Sequence, residues 1–147
     1  MPIRVSDANH SLTLPPLGKE EVIRWTSFDG QNIEGLLVYP LNYEPGKKYP
    51  LVAILHGGPT DVATQTFIGT AGHPIAELSE RGYAVILPNF RGPRGYGLQF
   101  RLGLYKNWGD ADYKDVETGI DHLISMGIAD SKRLGFIGWS YGRYLTA

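Results

Sequence analysis

Cysteine is absent from the 147 residues of the chain. Without thiols the chain can form neither disulfide bonds nor thiolate metal sites, and a cysteine nucleophile is excluded as well. Such a composition suits a reducing compartment, so we expect a cytoplasmic protein.

Long apolar segments and strong net charge are also lacking. No apolar run is long enough to cross a bilayer, and the N-terminus has no apolar core of a signal peptide. The formal net charge is −1, so we expect neither nucleic acid nor a membrane as a partner. With 42% hydrophobic and 20% charged residues, the composition is that of one globular domain.

The N-terminal part of the chain predicts a lead-in followed by a hairpin. Residues 1–19 contain Pro15, Pro16 and Gly18, which interrupt regular structure, so this segment is predicted to be linker-like. The domain proper is predicted to span residues 20–147. It begins with two predicted strands, at 21–28 and 33–39, on either side of an Asp-Gly turn signal.

From residue 51 onward, apolar strands alternate with helices. The predicted strands are 51–55, 83–87 and 134–139, and the predicted helices are 74–81, 110–126 and a last one from Tyr141 onward. Alternation of this kind implies right-handed crossovers and a parallel sheet. The expected fold class is α/β, with a mostly parallel sheet and the antiparallel hairpin at one edge.

One motif of the chain carries chemistry. Gly138-x-Ser140-x-Gly142 lies where an apolar strand turns into a helix. A turn this sharp strains the backbone at the serine and exposes its hydroxyl, and glycine avoids a clash because it has no Cβ. The motif therefore predicts that Ser140 is a nucleophile.

A second motif supplies the candidate N–H donors that would stabilise an oxyanion. His56-Gly57-Gly58-Pro59 ends the strand that is expected to lie beside the nucleophile strand. Two glycines there can present a backbone N–H to a reacting carbonyl, and the N–H of Tyr141 would be the other donor.

Together these segments resemble the catalytic domain of the prolyl oligopeptidase family of serine peptidases, most of all its acylaminoacyl-peptidase and dipeptidyl-peptidase branch. The resemblance is carried by Trp25-x-x-Phe28-Asp29-Gly30, Tyr49-Pro50-Leu51-Val52, His56-Gly57-Gly58-Pro59, Asn89-Phe90-Arg91-Gly92, Gly95-Tyr96-Gly97, Trp108-Gly109-x-x-Asp112-x-x-Asp115 and Gly138-Trp139-Ser140-Tyr141-Gly142. It implies a truncated α/β-hydrolase fold, a peptide or N-acylated amino-acid substrate, and no metal or organic cofactor. It also implies that Ser140 is the nucleophile and that the N–H groups of Gly58 and Tyr141 form the oxyanion hole.

Two positions depart from the family pattern. Arg143 stands where the family usually has a second glycine after the elbow, and Pro93 stands where it usually has a serine. Arg143 in the first turn opposes the helix dipole mildly, by a few tenths of a kcal/mol.

The catalytic aspartate and histidine of the family follow the nucleophile well downstream, whereas this chain ends at Ala147. We therefore expect an internal piece of a larger protein, close to inactive alone, because losing the base costs on the order of a millionfold in turnover. The histidines at 10, 56, 73 and 122 are interpreted as structural or solvated, since none is expected to reach Ser140 in the geometry of a base. Asp110, Asp112 and Asp115 are interpreted as helix N-terminal acids rather than metal ligands.

Three functions stay open at this point. The first is a serine peptidase, the second an esterase or lipase of the same fold, and the third a non-catalytic remnant that binds a partner. A peptide is the expected substrate. The predicted strand 134–139 would also be an apolar edge, through which copies of the chain are expected to self-associate.

Overall fold

The computed structural model describes residues 3, 5–7, 11, 13, 16–65 and 72–147. Most of the predicted lead-in, with His10, lies outside the described residues. The strands are β1 (Glu20–Thr26), β2 (Asn32–Val38), β3 (Tyr49–Leu55), β4 (Ala84–Asn89) and β5 (Ala129–Gly138), and the helices are α1 (Ile75–Glu80), α2 (Leu98–Leu102), α3 (Ala111–Ser125) and α4 (Tyr141–Thr146).

The five strands form one mixed sheet in the order β1-β2-β4-β3-β5. Strands β4, β3 and β5 run parallel to one another, while β1 and β2 form an antiparallel hairpin whose second strand pairs antiparallel with β4. The α/β class and the hairpin at one edge are confirmed. Because the hairpin supplies two of the five strands, the sheet as a whole is mixed.

Helices cover both faces of the sheet. On one face α3 and α4 pack on the strands, with Val116, Ile120 and Leu145 in the larger apolar cluster. On the other face α1 packs through Ile75 against a smaller cluster. Burial on both faces explains why β3 and β4 are continuous apolar runs rather than alternating ones.

Helix α3 is the longest helix, and its inner face is partly charged. Val116, Ile120 and Leu123 are buried as the periodicity predicts, but Tyr113 is 43% exposed. Asp112 and Asp115 lie on the buried side instead, each with 0% relative exposure. In the described part of the chain no helix is long and apolar enough to span a membrane.

Two elements differ from their predictions. Strand β5 begins at Ala129 rather than at residue 134, and its pairing with β3 shifts register between Tyr49 and Leu51. Its first half is polar, so hydropathy does not mark it as a strand. Helix α2 is absent from the predictions because five residues between Gly97 and Gly103 are too few to show a helical period.

A buried arginine ties the hairpin to the parallel part of the sheet. Arg91 donates from its backbone N–H and its guanidinium to the carboxylate of Asp115, at 2.7–2.8 Å. Two further guanidinium N–H groups bind the two oxygens of Asp29, in the hairpin turn, at 2.7 and 3.0 Å. Ser27 adds a hydroxyl donor to Asp115 at 2.6 Å. Arg91 lowers the pKa of Asp29 through these hydrogen bonds.

Strand β5 is an edge of the sheet. Its only strand partner among the described residues is β3, and Leu134 and Phe136 are 41% and 44% exposed. An apolar edge strand with unpaired backbone groups is a template for pairing with another chain.

We expect Arg91→Met to lower the free energy of unfolding by about 3–5 kcal/mol, because Asp115 would be left charged and buried without its partner. Urea denaturation of the full-length protein, followed by tryptophan fluorescence, measures the loss. Arg24→Met is the matched control, since the Arg24–Glu34 pair is exposed on the arginine side and contributes at most about 1 kcal/mol. Equal losses of unfolding free energy in the two variants would contradict the stabilising role given to Arg91.

Self-association of the 147-residue chain through β5 stays a prediction. Sedimentation velocity should show association that decreases when Leu134 and Phe136 are both replaced by lysine, because the charges disfavour edge-to-edge pairing. Leu98→Lys is the control, since Leu98 is 66% exposed on α2, outside the sheet. A monodisperse monomer in the unmodified chain would refute the prediction.

Candidate active site

The parallel pairing of β3 with β5 brings the two predicted motifs together. Leu55 and Gly138, the last residues of these strands, are register partners. The loops that follow them therefore leave the sheet side by side. A Cβ placed on Gly57 would lie 3.4 Å from the Cβ of Ser140, so the two segments are in contact.

Ser140 has the backbone conformation of a nucleophile elbow. Its φ is 54° and its ψ is −117°, and its side chain is exposed. Such a conformation costs on the order of 1–3 kcal/mol in a non-glycine residue and persists only where surrounding contacts impose it. The turn is closed by the N–H groups of Gly142 and Arg143, which donate to Trp139 O at 3.0 Å and Ser140 O at 3.1 Å.

The two glycines of the motif are required by close backbone contacts. A Cβ on Gly138 would overlap the carbonyl group of Gly142, across the turn, and would lie 2.7 Å from the N of Arg143. A Cβ on Gly142 would overlap the carbonyl of Leu55 at the end of β3. The steric reason predicted for Gly138 is thus present, whereas Gly142 is needed for the approach of α4 to the neighbouring strand.

The side chain of Tyr141 anchors the elbow in the core. Its hydroxyl donates a hydrogen bond to Asp112 Oδ2. Burial and the neighbouring Asp112 raise the pKa of the Tyr141 phenol, so it stays protonated and remains a donor. Trp108 packs edge-on against the Tyr141 ring at 5.3 Å. These contacts hold the backbone N–H of Tyr141 at the start of α4, where an N–H has no partner within the helix.

Asp112 and Asp115 therefore do more than favour the helix dipole, which was their predicted role. They are buried and bind Tyr141 and Arg91, while Asp110 precedes α3 and pairs with Lys114 at 2.8 Å. The described residues contain no group of three or more acids or histidines that could hold a metal. The spacing of Asp112 and Asp115 could have indicated that they are buried. They share one face of the helix with the buried positions 116, 119, 120 and 123.

The loop that carries Gly58 is held by hydrogen bonds from the end of β4 and from the segment that follows it. Asn89 accepts from Ala63 N at 2.7 Å and donates to Ala63 O at 2.9 Å, and Arg94 N donates to Thr60 O at 3.2 Å. Gly58 itself has a φ of 116°, which a side chain would strain. The oxyanion roles of the Gly58 and Tyr141 N–H groups remain predictions.

No histidine among the described residues hydrogen-bonds to the Ser140 hydroxyl. His56 stacks on Phe90 at 4.2 Å, and its Nδ1 lies 2.9 Å from the carbonyl of Gly57. Burial lowers the pKa of the His56 imidazole. His122 lies in the last turn of α3. These two placements agree with a structural role, and His56 is not oriented as a base.

His73 is closer to the site than the sequence predicts. It lines the same cleft as Ser140. A crossover helix runs antiparallel to the strands, so the segment that precedes α1 lies at the carboxyl ends of the strands, where the elbow also lies.

The cleft in front of Ser140 has a volume of about 1020 Å³. Residues of the Gly57–Gly58 loop and of the elbow form one part of its wall, and the segment before α1 forms another. Arg143 lies outside it, exposed on α4, and Pro93 is buried in the loop after β4. The site therefore offers an exposed hydroxyl, a helix N-terminus and a glycine-rich loop around one concave space.

We expect Gly142→Ala to reduce the reactivity of Ser140 by about 100-fold or more, since the added Cβ must push α4 away from Leu55 and displaces the hydroxyl. The rate of labelling by a fluorophosphonate, per mole of folded full-length protein, measures this reactivity. Gly135→Ala, in β5 before the elbow, is the control, because its Cβ would meet only Val52, at an ordinary 3.9 Å. Similar labelling rates in the two variants would contradict the steric account.

Comparison with known proteins places this geometry in a family. The sequence profile described as "Prolyl oligopeptidase family" matches residues 70–147. The chain is 35% identical over 138 residues to the uncharacterized peptidase YuxL of Bacillus subtilis, covering 93% of this chain and 20% of that protein. It is 43% identical over 103 residues to the acylamino-acid-releasing enzyme of Arabidopsis thaliana, covering 70% of this chain and 13% of the enzyme.

A solved structure shows the same fold. The acylaminoacyl peptidase of Pyrococcus horikoshii superposes with a TM-score of 0.81 at 28% identity, over 96% of this chain and 22% of the peptidase. The chain thus spans about a fifth of the length of such relatives. Its matching sequence profile, its relatives and its fold agree, and the chain belongs to the prolyl oligopeptidase family.

Proposed function

We propose that the full-length protein is a serine peptidase that cleaves peptide or N-acyl-aminoacyl bonds, with Ser140 as nucleophile. The observation that carries the proposal is the strained, exposed Ser140 in contact with the Gly57–Gly58 loop, at the edge of a cleft. The names of the relatives support this substrate class, because they include acylamino-acid-releasing enzymes and dipeptidyl peptidases.

The reaction begins with attack of the Ser140 oxygen on the scissile carbonyl carbon. Negative charge develops on the carbonyl oxygen, which the N–H groups of Gly58 and Tyr141 stabilise in this proposal. One such donor is worth about 10²–10³ in turnover when it is fixed before the reaction. The buried Tyr141 side chain and the Asn89 hydrogen bonds to Ala63 supply that rigidity.

The proton of the Ser140 hydroxyl needs a base from elsewhere in the protein. The family resemblance implies an aspartate and a histidine downstream of the elbow, beyond Ala147. The 147 residues alone are accordingly proposed to hold the nucleophile and the oxyanion donors without turnover. A cytoplasmic location is part of the proposal and is supported by the cysteine-free composition.

Labelling with a fluorophosphonate tests the nucleophile assignment. In the full-length protein we expect one adduct, which peptide mapping places on Ser140, and no adduct in Ser140→Ala. The 147-residue chain should label slower by several orders of magnitude, since it lacks the base. An adduct on another serine while Ser140 stays unmodified would refute the assignment.

Substrate comparison tests the class of bond. Peptide and acyl-aminoacyl anilides should be cleaved by the full-length protein and left intact by Ser140→Ala. Hydrolysis confined to simple carboxylic esters would favour an esterase of the same fold. Tight peptide binding without any hydrolysis would favour a non-catalytic binding protein.

A further inference from the structure

The cleft in front of Ser140 is mostly apolar, and its described lining contains one carboxylate. Side chains such as Ile54, Val62, Leu87 and Ile137 line it. Among the described residues that line the cleft, Asp61 is the one carboxylate, and none is a lysine or arginine. The two histidines there are His56, whose pKa is lowered by burial, and His73. An uncompensated carboxylate in apolar surroundings attracts cations and repels anions.

Asp61 lies close to the nucleophile. A Cβ on Gly57 would be 3.4 Å from the Cβ of Ser140 and 3.9 Å from an oxygen of the Asp61 carboxylate. The two side chains therefore flank the same glycine. An extended peptide advances about 3.3 Å per residue, so one or two residues of a bound substrate span the distance between them.

The carboxylate of Asp61 has no hydrogen-bond or ion-pair partner among the described residues of the cleft. In residues 16–65 and 72–147 it forms no hydrogen bond or ion pair, and its side chain is exposed. The other acids near the site differ in this respect. Asp112 and Asp115 are fully buried and bind Tyr141 and Arg91.

The loop that carries Asp61 is held in place on both sides of the residue. On the C-terminal side both backbone groups of Ala63 bind the side chain of Asn89, which also donates to Tyr96 Oη at 2.9 Å. On the N-terminal side the carbonyl of Thr60 accepts from Arg94 N. A charge on a fixed backbone discriminates between ligands better than one on a mobile loop, because less reorganisation offsets the attraction.

We propose that Asp61 is a specificity-determining residue, which selects substrates with a positively charged nitrogen group within one or two residues of the scissile bond. The group is either the free α-ammonium of a short peptide or the side chain of lysine or arginine. This inference rests on the proposed function of Ser140 and concerns only which peptides that site prefers.

The test uses the full-length protein and eight quenched fluorescent peptides, in two sets of four. Lysine or norleucine stands at the position before the scissile bond, and each peptide has a free or an acetylated N-terminus. The same set is made with the variable position after the scissile bond. For each enzyme variant, kcat/KM for a cationic peptide is divided by kcat/KM for its neutral counterpart. This ratio cancels any general loss of activity.

We expect a ratio of roughly three to ten in the unmodified enzyme, the range of a partly exposed ion pair at a few ångström. The ratio should approach one in Asp61→Asn and fall below one in Asp61→Lys. Asp121→Asn, an exposed aspartate on α3 outside the cleft, is the matched control and should leave the ratio unchanged. A ratio above one for lysine against norleucine identifies the side chain as the selected cation. A ratio above one for the free against the acetylated N-terminus identifies the α-ammonium.

The outcomes separate the two proposals. If the peptides are hydrolysed through Ser140 but every ratio is near one, or is the same in Asp61→Asn as in the unmodified enzyme, the inference about Asp61 is wrong while the proposed function stands. If Ser140→Ala cleaves all peptides as fast as the unmodified enzyme, or if no peptide is cleaved, the proposed function fails and the inference fails with it.

Discussion

The close backbone contact between β3, β5 and α4 determines the geometry of the candidate site. Gly138 faces Leu55 across the parallel pair, and Gly142 packs its Cα against the Leu55 carbonyl. No side chain fits at either glycine. The distance between Ser140 and the Gly57–Gly58 loop is therefore set by main-chain contacts, which vary little with rotamer changes elsewhere. A site defined in this way is rigid before any substrate arrives, as stabilisation of a developing oxyanion requires.

One buried hydrogen bond and one buried ion pair attach that site to the rest of the fold. Asp112 and Asp115 lie one turn apart on α3, and they bind Tyr141 of the elbow and Arg91 of the loop after β4. A buried carboxylate that loses its partner costs several kcal/mol, so both partners must stay close to α3. Helix α3 thereby fixes the turn that carries Ser140 on one side and, through Arg91 and Asp29, the hairpin on the other.

The features that the sequence predicts well are those with a local physical cause. Helix α3 is found within a residue of its predicted bounds because its apolar residues repeat over four turns, and the strain at Ser140 follows from a motif of five residues. What could not be predicted depends on residues far apart in the chain. Asp115 meets Ser27 across 88 positions, and His73 reaches the cleft only through the antiparallel course of a crossover helix. Helix α2 could not be predicted for a different reason: a helix of about one turn is too short to show a helical repeat of apolar residues.

The same distinction between local and distant contacts applies to the groups that the proposed reaction needs. Among the described residues, the contacts that position the turn at Ser140 run from the Leu55 carbonyl, against Gly142, to Asp112, which binds Tyr141. The oxyanion donors proposed at Gly58 and Tyr141 belong to the same contacts. No histidine of the described residues hydrogen-bonds to the Ser140 hydroxyl, and His56 is turned to Phe90 and Gly57 O. The described residues therefore account for the position of the Ser140 hydroxyl but not for the removal of its proton.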